Sequence, residues 1–337
     1  MSDAAVAKTN DKSARDYYFD SYAHYGIHEE MLKDEVRTKS YRDAIMLNSH
    51  LFKDKVVLDV GCGTGILCMF ASRAGAKRVI GVDMSDIIDH AKIVVRDNGF
   101  TEDQILLLKG KMEEVELPVQ HVDIIISEWM GYCLLYESML NTVLVARDKY
   151  LAPGGLIFPD KATMHIAGIE DAQYKQEKIG FWDNVYGFNM RHFQGVVLRE
   201  PLVDTVEGSA LVTNDCIFRS IDIATVQISD LAFHVPFEIT ALRNDYIHAM
   251  IVWFDIDFSA GTKPVSFSTG PAAYYTHWKQ TVFYLHDHLA VNQGETITGD
   301  FTLGPNKDNA RDLDLTLHFK FEGKDMQLEK THQYRMA

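Results

Sequence analysis

The chain has 337 residues, more than one compact core usually needs, so we expect two domains. Hydrophobic residues make up 47% and charged residues 24%, the balance of an ordinary globular protein. The formal net charge of −15 argues against a nucleic-acid-binding protein, because phosphate would be repelled. The charge alone leaves two interpretations open: it attracts cationic partners, or it only keeps the protein soluble.

Other features of the whole sequence indicate an intracellular chain without a metal site. The four cysteines form no CxxC pair and no zinc-ligand spacing, so we expect thiols in a reducing compartment. No run reaches the roughly 18 apolar residues that a membrane span requires. The polar residues 1–15 lack the apolar core of a signal peptide, and their composition predicts disorder.

Residues 16–158 combine a helical segment with a repeating pattern of strands and helices. In 16–50, aromatic and aliphatic side chains recur among charges, which predicts helices packed on a larger body. In 51–158, short apolar runs alternate with helical patterns. The predicted strands are 56–60, 79–82, 105–109, 122–127 and 156–158, and the predicted helices are 66–75, 88–98 and 134–150. This βαβ alternation predicts a doubly wound, mainly parallel, Rossmann-like sheet.

Residues 159–337 have a different texture. Strand-like runs separated by turn residues, such as 250–258, 296–303 and 313–321, predict an antiparallel β domain, either a barrel or a sandwich. Residues 171–195 interrupt this pattern with helical spacing and many aromatic side chains. We expect one helical insertion there, so the predicted fold class is α/β followed by β.

The turn after the first predicted strand is a candidate cofactor site. Gly61, Gly63 and Gly65 allow the backbone to approach a ligand closely. A dinucleotide fold is the main rival, because its fingerprint is G-x-G-x-x-G/A. Here the third glycine comes one position early, which disfavours that rival.

Acidic residues near this turn favour S-adenosylmethionine as the cofactor. Asp59 lies just before the turn, where a carboxylate suits ammonium and sulfonium charges better than a pyrophosphate. Asp83 ends the second strand, about 20 residues further on, where it can accept both ribose hydroxyls. The alternative for both is a turn or cap role. Glu113 can accept from an adenine amino group, although the sequence alone favours a solvated face for it.

Two glutamates bracket an otherwise uncharged segment after the fourth predicted strand. Glu128 and Glu137 would both face inward if the chain turned at Gly131. Carboxylates with apolar neighbours are normally paired, and nothing basic lies nearby in the chain. We therefore expect a guanidinium from outside, whose planar fork binds carboxylates bidentately. The structural alternative is that Glu137 favours a helix dipole while Glu128 pairs with an arginine elsewhere.

These motifs resemble those of the protein arginine methyltransferases, and of their type I members in particular. The resemblance runs from about Tyr17 to the C-terminus. Its markers are 18–22, 57–65, 127–139 with both glutamates, and Thr276-His277-Trp278. A lone histidine is more often structural than catalytic, so His277 is unassigned without the resemblance. Asp83 departs from the glutamate that many members have at the ribose-binding position.

The resemblance implies roles by position. Glu128 and Glu137 would grip the substrate guanidinium, and His277 would pair with Asp34 and relay the released proton. Arg37 would bind the cofactor carboxylate. The full set of implied cofactor contacts is His28, Arg37, Asp59, Gly61, Gly63, Gly65, Asp83, Met112 and Glu113, with Met112 and Glu113 at the adenine. The implied substrate pocket is Tyr22, Met31, Met139 and Trp278, where methionine as core filler is the default alternative.

The resemblance also implies partners and products. The arm at 171–195 would dock on a partner subunit, giving a homodimer or a higher homo-oligomer. The substrates would be basic Arg/Gly-rich segments of RNA-binding proteins and histones, converted to mono- and asymmetric dimethylarginine in the nucleus and cytoplasm. No direct nucleic-acid or membrane contact is expected. Two alternatives are a small-molecule methyltransferase of the same fold and a non-catalytic scaffold.

Overall fold

A computed structural model describes residues 24–309 and 311–337. The expected disorder of 1–15 and the pocket residue Tyr22 lie outside these residues. Within the described residues, three helices come first: α1 (Tyr25–Lys33), α2 (Glu35–Met46) and α3 (Ser49–Phe52). Asp34 ends α1 and caps α2, because its Oδ1 accepts a hydrogen bond from the backbone N–H of Arg37 at 2.9 Å.

A five-stranded parallel sheet follows in the described chain. Its order is β3-β2-β1-β4-β5, so the direction of winding reverses between β1 and β4. Ligands of such sheets bind at the carboxyl ends of the strands beside this reversal. The strands are β1 (Val56–Val60), β2 (Arg78–Asp83), β3 (Ile105–Lys109), β4 (Val122–Ile126) and β5 (Leu151–Phe158). The helices are α4 (Ile66–Arg73), α5 (Ile87–Asp97) and α6 (Leu140–Tyr150).

The predicted long helix 134–150 is wrong in its first part. The helix begins at Leu140, and a tight turn precedes it, with backbone bridges Gly131–Leu134 and Tyr132–Tyr136. Cys133, Leu134 and Glu137 have φ values of 49°, 65° and 54°. These left-handed conformations are incompatible with a right-handed helix, and non-glycine residues adopt them at a cost.

The second domain consists of two antiparallel sheets. One pairs β7-β12-β10-β6-β8, with β11 added to β10, and the other pairs β15-β14-β13-β9. The strands are β6 (Lys161–Ile169), β7 (Leu202–Asp204), β8 (Cys216–Asp222), β9 (Phe233–Thr240), β10 (Asp245–Phe258), β11 (Val265–Ser268), β12 (Gln280–Val291), β13 (Thr296–Pro305), β14 (Leu313–Glu322) and β15 (Gln327–Met336). Phe283 contacts both Phe301 and Tyr334, which joins strands of both sheets in one aromatic core.

A helical insertion leaves the second domain between β6 and β7. It contains α7 (Ala172–Lys178), α8 (Gln194–Val197) and two 3-10 turns at Gly180–Asp183 and Arg191–Phe193. The insertion therefore extends slightly beyond the predicted end at residue 195. The predicted fold class, an α/β domain followed by a β domain with a helical insertion, is confirmed.

The two domains share one hydrophobic core. Phe158 of the first domain contacts Phe258 of the second. From the helical segment, Phe52 contacts Phe158 and Tyr41 contacts Phe258. Arg147 on α6 is buried, and its Nη1 donates to the carbonyl oxygens of Ile223 and Val226, both at 2.8 Å. The Phe158–Pro159 peptide bond between the domains is cis. No helix among the described residues is long and apolar enough to cross a membrane.

Candidate active site

The glycine turn after β1 forms one wall of a cavity. Gly61 and Gly63 both line it, with φ values of 73° and 51°. A Cβ on Gly61 would lie 2.3 Å from Cε of Met139, and one on Gly63 would lie 3.2 Å from the ring of His28. Gly65, with φ 80°, instead packs against Val95 of α5. The first two glycines thus let the side chains of Met139 and His28 pack directly against the turn at the cavity, and the third allows close packing of the helix layer.

The carboxylate of Asp83 is fixed at the carboxyl end of β2. The backbone N–H of Gly63 donates to its Oδ2 at 2.8 Å. Ser85 donates to Oδ1 twice, from its backbone N–H at 2.8 Å and from its Oγ at 2.7 Å. Sequence reasoning missed Ser85, although a hydroxyl two residues after an acid in a turn is a recognisable signal.

Asp59 is placed differently from the prediction. Its side chain is fully buried and faces α4, where Sγ of Cys68 donates to Oδ2 at 3.0 Å. No described residue hydrogen-bonds Oδ1. Burial raises the pKa of Asp59 to about 7. It therefore lies behind the glycine turn rather than at the cavity surface, which corrects the expectation of direct contact with cofactor charges.

Backbone hydrogen bonds fold the glutamate segment back on itself. The N–H of Met139 donates to the carbonyl of Trp129, and the N–H of Tyr136 donates to that of Tyr132, both at 2.9 Å. The result is a closed turn whose two ends carry Glu128 and Glu137. Both glutamates line the same cavity.

Glu128 has an internal partner, which corrects the expectation that its counter-charge comes only from outside. Nε and Nη2 of Arg37 each lie 2.9 Å from Oε2 of Glu128. Nη1 of Arg37 donates to the carbonyl of Met31 at 3.1 Å. The two ionic side chains are only 8% and 9% exposed, so the pair prevents an uncompensated buried charge. The alternative interpretation gave Glu128 an arginine from elsewhere in the chain as its partner. That arginine is Arg37, and it lines the same cavity.

Glu137 experiences a different environment. The pKa of its carboxyl group is raised, mainly by burial. The charge of Arg311 lowers this pKa, and the charge of Asp312 raises it. It has a left-handed φ of 54°, three residues before the start of α6. The strained backbone directs the glutamate into the cavity instead of placing it in the first turn of the helix.

His277 and Asp34 join the second domain to the helical segment. The Nδ1 of His277 lies 2.7 Å from Oδ2 of Asp34, and the backbone N–H of His277 donates to the same oxygen at 2.9 Å. Burial alone would raise the pKa of Asp34, but the hydrogen bonds from His277 and the backbone of Arg37 lower it. The carboxylate form of Asp34 is therefore stabilised beside His277. The next residue, Trp278, donates from Nε1 to the carbonyl of Met130 at 3.1 Å.

The cavity formed by the described residues measures about 240 Å³. The predicted residues that line it are His28, Met31, Arg37, Gly61, Gly63, Asp83, Glu128, Glu137, Met139, His277 and Trp278. Those outside its lining are Asp34, Asp59, Gly65, Met112 and Glu113. Met112 is buried in the core, and Glu113 accepts from Oγ1 of Thr142 at 2.9 Å. Tyr132 and Tyr136 line the cavity and were not predicted, although both belong to the glutamate segment.

The residues present fit S-adenosylmethionine. Gly61 and Gly63 line the cavity with backbone atoms alone, Asp83 offers a fixed carboxylate, and Arg37 offers a cation. No group of three or more His, Cys, Asp or Glu residues within 24–309 and 311–337 is arranged to hold a metal ion. A parallel sheet with these groups at its winding reversal defines the class: an S-adenosylmethionine-dependent methyltransferase.

Comparisons with known proteins identify the family. Residues 57–155 match the family model described as methyltransferase domain, and 160–324 match arginine methyltransferase oligomerization subdomain. The chain is 61% identical over 328 residues to protein arginine N-methyltransferase 1 of Schizosaccharomyces pombe, which covers 96% of both chains. It is 58% identical over 332 residues to the protein of that name from Dictyostelium discoideum, covering 98% of this chain and 97% of the relative.

A solved structure agrees with these relatives. The Trypanosoma brucei PRMT1 enzyme-prozyme heterotetrameric complex with AdoHcy matches with a TM-score of 0.92 and 53% identity, over 94% of this chain and 100% of that chain. The chain belongs to the protein arginine N-methyltransferase family. It is an enzyme that methylates arginine in proteins, and the findings do not favour a small-molecule methyltransferase or a non-catalytic scaffold.

Proposed function

We propose that Glu128 and Glu137 together hold the guanidinium of a substrate arginine for methylation to mono- and then asymmetric dimethylarginine. The observation that carries this proposal is the closed turn that places both carboxylates in one cavity beside Arg37 and the glycine turn. The proposed substrates are basic Arg/Gly-rich segments of RNA-binding proteins and histones. The net charge of −15 supports this choice, because it attracts cationic chains.

The chemistry depends on the charge of the guanidinium. A free guanidinium is always protonated, so it is a poor nucleophile. Two carboxylates draw the positive charge towards the nitrogens that they bind and orient the remaining nitrogen towards the methyl donor. The bound cofactor supplies a methyl group on a positively charged sulfur. Catalysis then rests on positioning and on electrostatic stabilisation.

Other residues of the cavity are proposed to bind the cofactor or to move a proton. Arg37 would bind the cofactor carboxylate while its Nε and Nη2 keep Glu128 in place. The reaction releases one proton, because both the substrate and its methylated product carry a single positive charge. His277, held by the ionised Asp34, is the proposed relay for that proton. Asp83 would bind the ribose.

The remaining contacts are proposed from the resemblance together with their location. Met31, Met139 and Trp278 would shape the pocket for the arginine, and all three line the cavity. Met112 and Glu113 are the proposed adenine contacts. Glu113 would then share its carboxylate between the adenine and the hydroxyl of Thr142.

Product analysis tests the proposed function. A peptide with one arginine between glycines is incubated with the enzyme and isotopically labelled S-adenosylmethionine, and the product is fragmented in a mass spectrometer. We expect two successive additions and loss of dimethylamine, which identifies the asymmetric product. Loss of monomethylamine instead would identify the symmetric product and contradict the proposal.

The buried position of Glu137 predicts a pH dependence. Its carboxylate form is needed to bind the guanidinium, and burial raises its pKa. The value of kcat/KM for an arginine peptide should therefore fall on acidification at a pH above the ordinary range of glutamate. The pH profile of Glu137→Gln provides the comparison. If this variant kept the same acid limb, Glu137 would not be the titrating group.

The exposed aromatic residues of the insertion predict self-association. Phe181, Tyr186 and Phe188 are 50%, 96% and 68% exposed, and residues 160–324 match an oligomerization subdomain. We propose a homodimer in which the insertion docks on the partner subunit. The double substitution Phe181→Ser and Phe188→Ser should give a monomeric mass in light scattering and low methyltransferase activity. The control is the double substitution Ile217→Ser and Leu242→Ser, which removes two exposed apolar side chains outside the insertion. An active monomer would contradict the proposal.

We also propose that the enzyme acts in both nucleus and cytoplasm. The support is the substrate class alone, since RNA-binding proteins and histones occupy these compartments. Imaging of a fluorescent fusion tests it, and restriction of the signal to one compartment would contradict it.

A further inference from the structure

Ser85 lines the cavity, but none of the proposed ligand contacts involves it. It follows the carboxyl end of β2, is 5% exposed and lines the cavity with Asp83. Its backbone N–H and its Oγ both donate to Oδ1 of Asp83, at 2.8 and 2.7 Å. The side chain is thus fixed at the position proposed for the ribose.

The hydrogen bonds of Asp83 leave little capacity for a ligand. An ionised carboxylate has about four acceptor positions. Within the described part of the chain, donors from Gly63 and Ser85 occupy three of them: one N–H on Oδ2, and one N–H and one hydroxyl on Oδ1. About one position remains, whereas the ribose of the cofactor presents two neighbouring hydroxyls.

The hydroxyl of Ser85 has the complementary capacity. A serine hydroxyl has one hydrogen and two lone pairs. The hydrogen is donated to Asp83, so Oγ can only accept from a ligand. Because Ser85 is almost completely buried and still lines the cavity, a hydroxyl that reaches it finds a pre-positioned acceptor with little competing water.

We propose that Asp83 and Ser85 form a composite ribose site, in which Asp83 accepts from one ribose hydroxyl and Oγ of Ser85 accepts from the other. This inference rests on the proposed cofactor site. The composite site also explains how Asp83 can stand where many family members have glutamate. The aspartate side chain is one methylene shorter, and the Oγ of Ser85 supplies the second acceptor.

Binding of hydroxyl-deleted analogues tests the direct contact. S-adenosylhomocysteine and its 2′-deoxy and 3′-deoxy analogues are titrated calorimetrically into the full-length wild type, Ser85→Ala, Ser85→Thr and the exposed control Ser266→Ala. In the wild type, removal of either hydroxyl should weaken binding about three- to ten-fold. In Ser85→Ala, one analogue should bind as tightly as S-adenosylhomocysteine, while the other keeps its penalty.

The other variants make the test decisive. Ser85→Thr should restore both penalties, because threonine retains the hydroxyl, and Ser266→Ala should resemble the wild type. If Ser85→Ala does not fold, Ser85→Gly provides the hydroxyl-free site. Both penalties persisting in the hydroxyl-free variant, or an equal weakening of all three ligands, would overturn the direct contact. Failure of S-adenosylhomocysteine to bind the wild type would instead contradict the proposed cofactor site.

Discussion

Replacing Glu128 by glutamine is expected to lower kcat about 100- to 1,000-fold, the usual effect of removing one electrostatic stabiliser of a transition state. Glutamine keeps the shape of the side chain but loses its charge, so the guanidinium is no longer drawn towards this end of the cavity. Glu137 alone cannot fix both the charge and the orientation of the substrate. Steady-state kinetics with a single-arginine peptide measure the effect.

The same substitution should also reveal the internal partner of Glu128. Arg37 is 8% exposed and loses its carboxylate, and breaking a buried ion pair from one side costs about 3–5 kcal/mol. We expect Glu128→Gln to have a lower melting temperature than the wild type. S-adenosylhomocysteine should raise it by more than in the wild type, because its carboxylate would compensate the charge of Arg37. The exposed control Glu102→Gln should change neither kcat nor the melting temperature. Near-normal kcat in Glu128→Gln would contradict the proposed mechanism.

Gly131→Ala is expected to lower kcat/KM at least about 100-fold, because small displacements of catalytic groups have effects of this size. A Cβ at Gly131 would lie 1.7 Å from the carbonyl oxygen of Tyr136 and 2.8 Å from its carbon. These are backbone atoms of the closed turn, so no side-chain rotation relieves the contact. The turn must open, which separates Glu128 from Glu137.

A matched glycine provides the control for this prediction. Gly304 lies in β13, and a Cβ there would meet only the Cβ of Ala232 at the ordinary distance of 3.7 Å. Gly304→Ala should retain wild-type kinetics and circular dichroism. If Gly131→Ala were as active as this control, the closed turn would not be what aligns the glutamates.

The parallel sheet could be predicted because its signals are local. Strands β1 and β3 begin and end at the predicted residues, since Val56–Val60 is apolar except for Asp59 and Ile105–Lys109 is apolar up to its last residue. The start of α6 could not be found in this way. Residues 134–139 have helical composition, but backbone hydrogen bonds with 129–132 hold them in a turn, and sequence spacing does not show those contacts.

The site was predictable in its acids and not in their partners. Glu128 and Glu137 are visible as charges within an apolar segment. Arg37 is 91 residues from Glu128, and only the packing of α2 against α4 and β11 brings them together. The misplacement of Asp59 has a similar cause, because the sequence shows that an acid precedes the glycine turn but not that its side chain faces Cys68 on α4.

The most direct test of the central claim compares a charged substrate with its neutral isostere. A peptide with one arginine and the same peptide with citrulline, whose urea group is planar but uncharged, are titrated into the enzyme saturated with S-adenosylhomocysteine. If two carboxylates hold the guanidinium, the wild type should bind the arginine peptide much more tightly, and Glu137→Gln should largely abolish the difference. Equal binding of both peptides by the wild type would contradict the account.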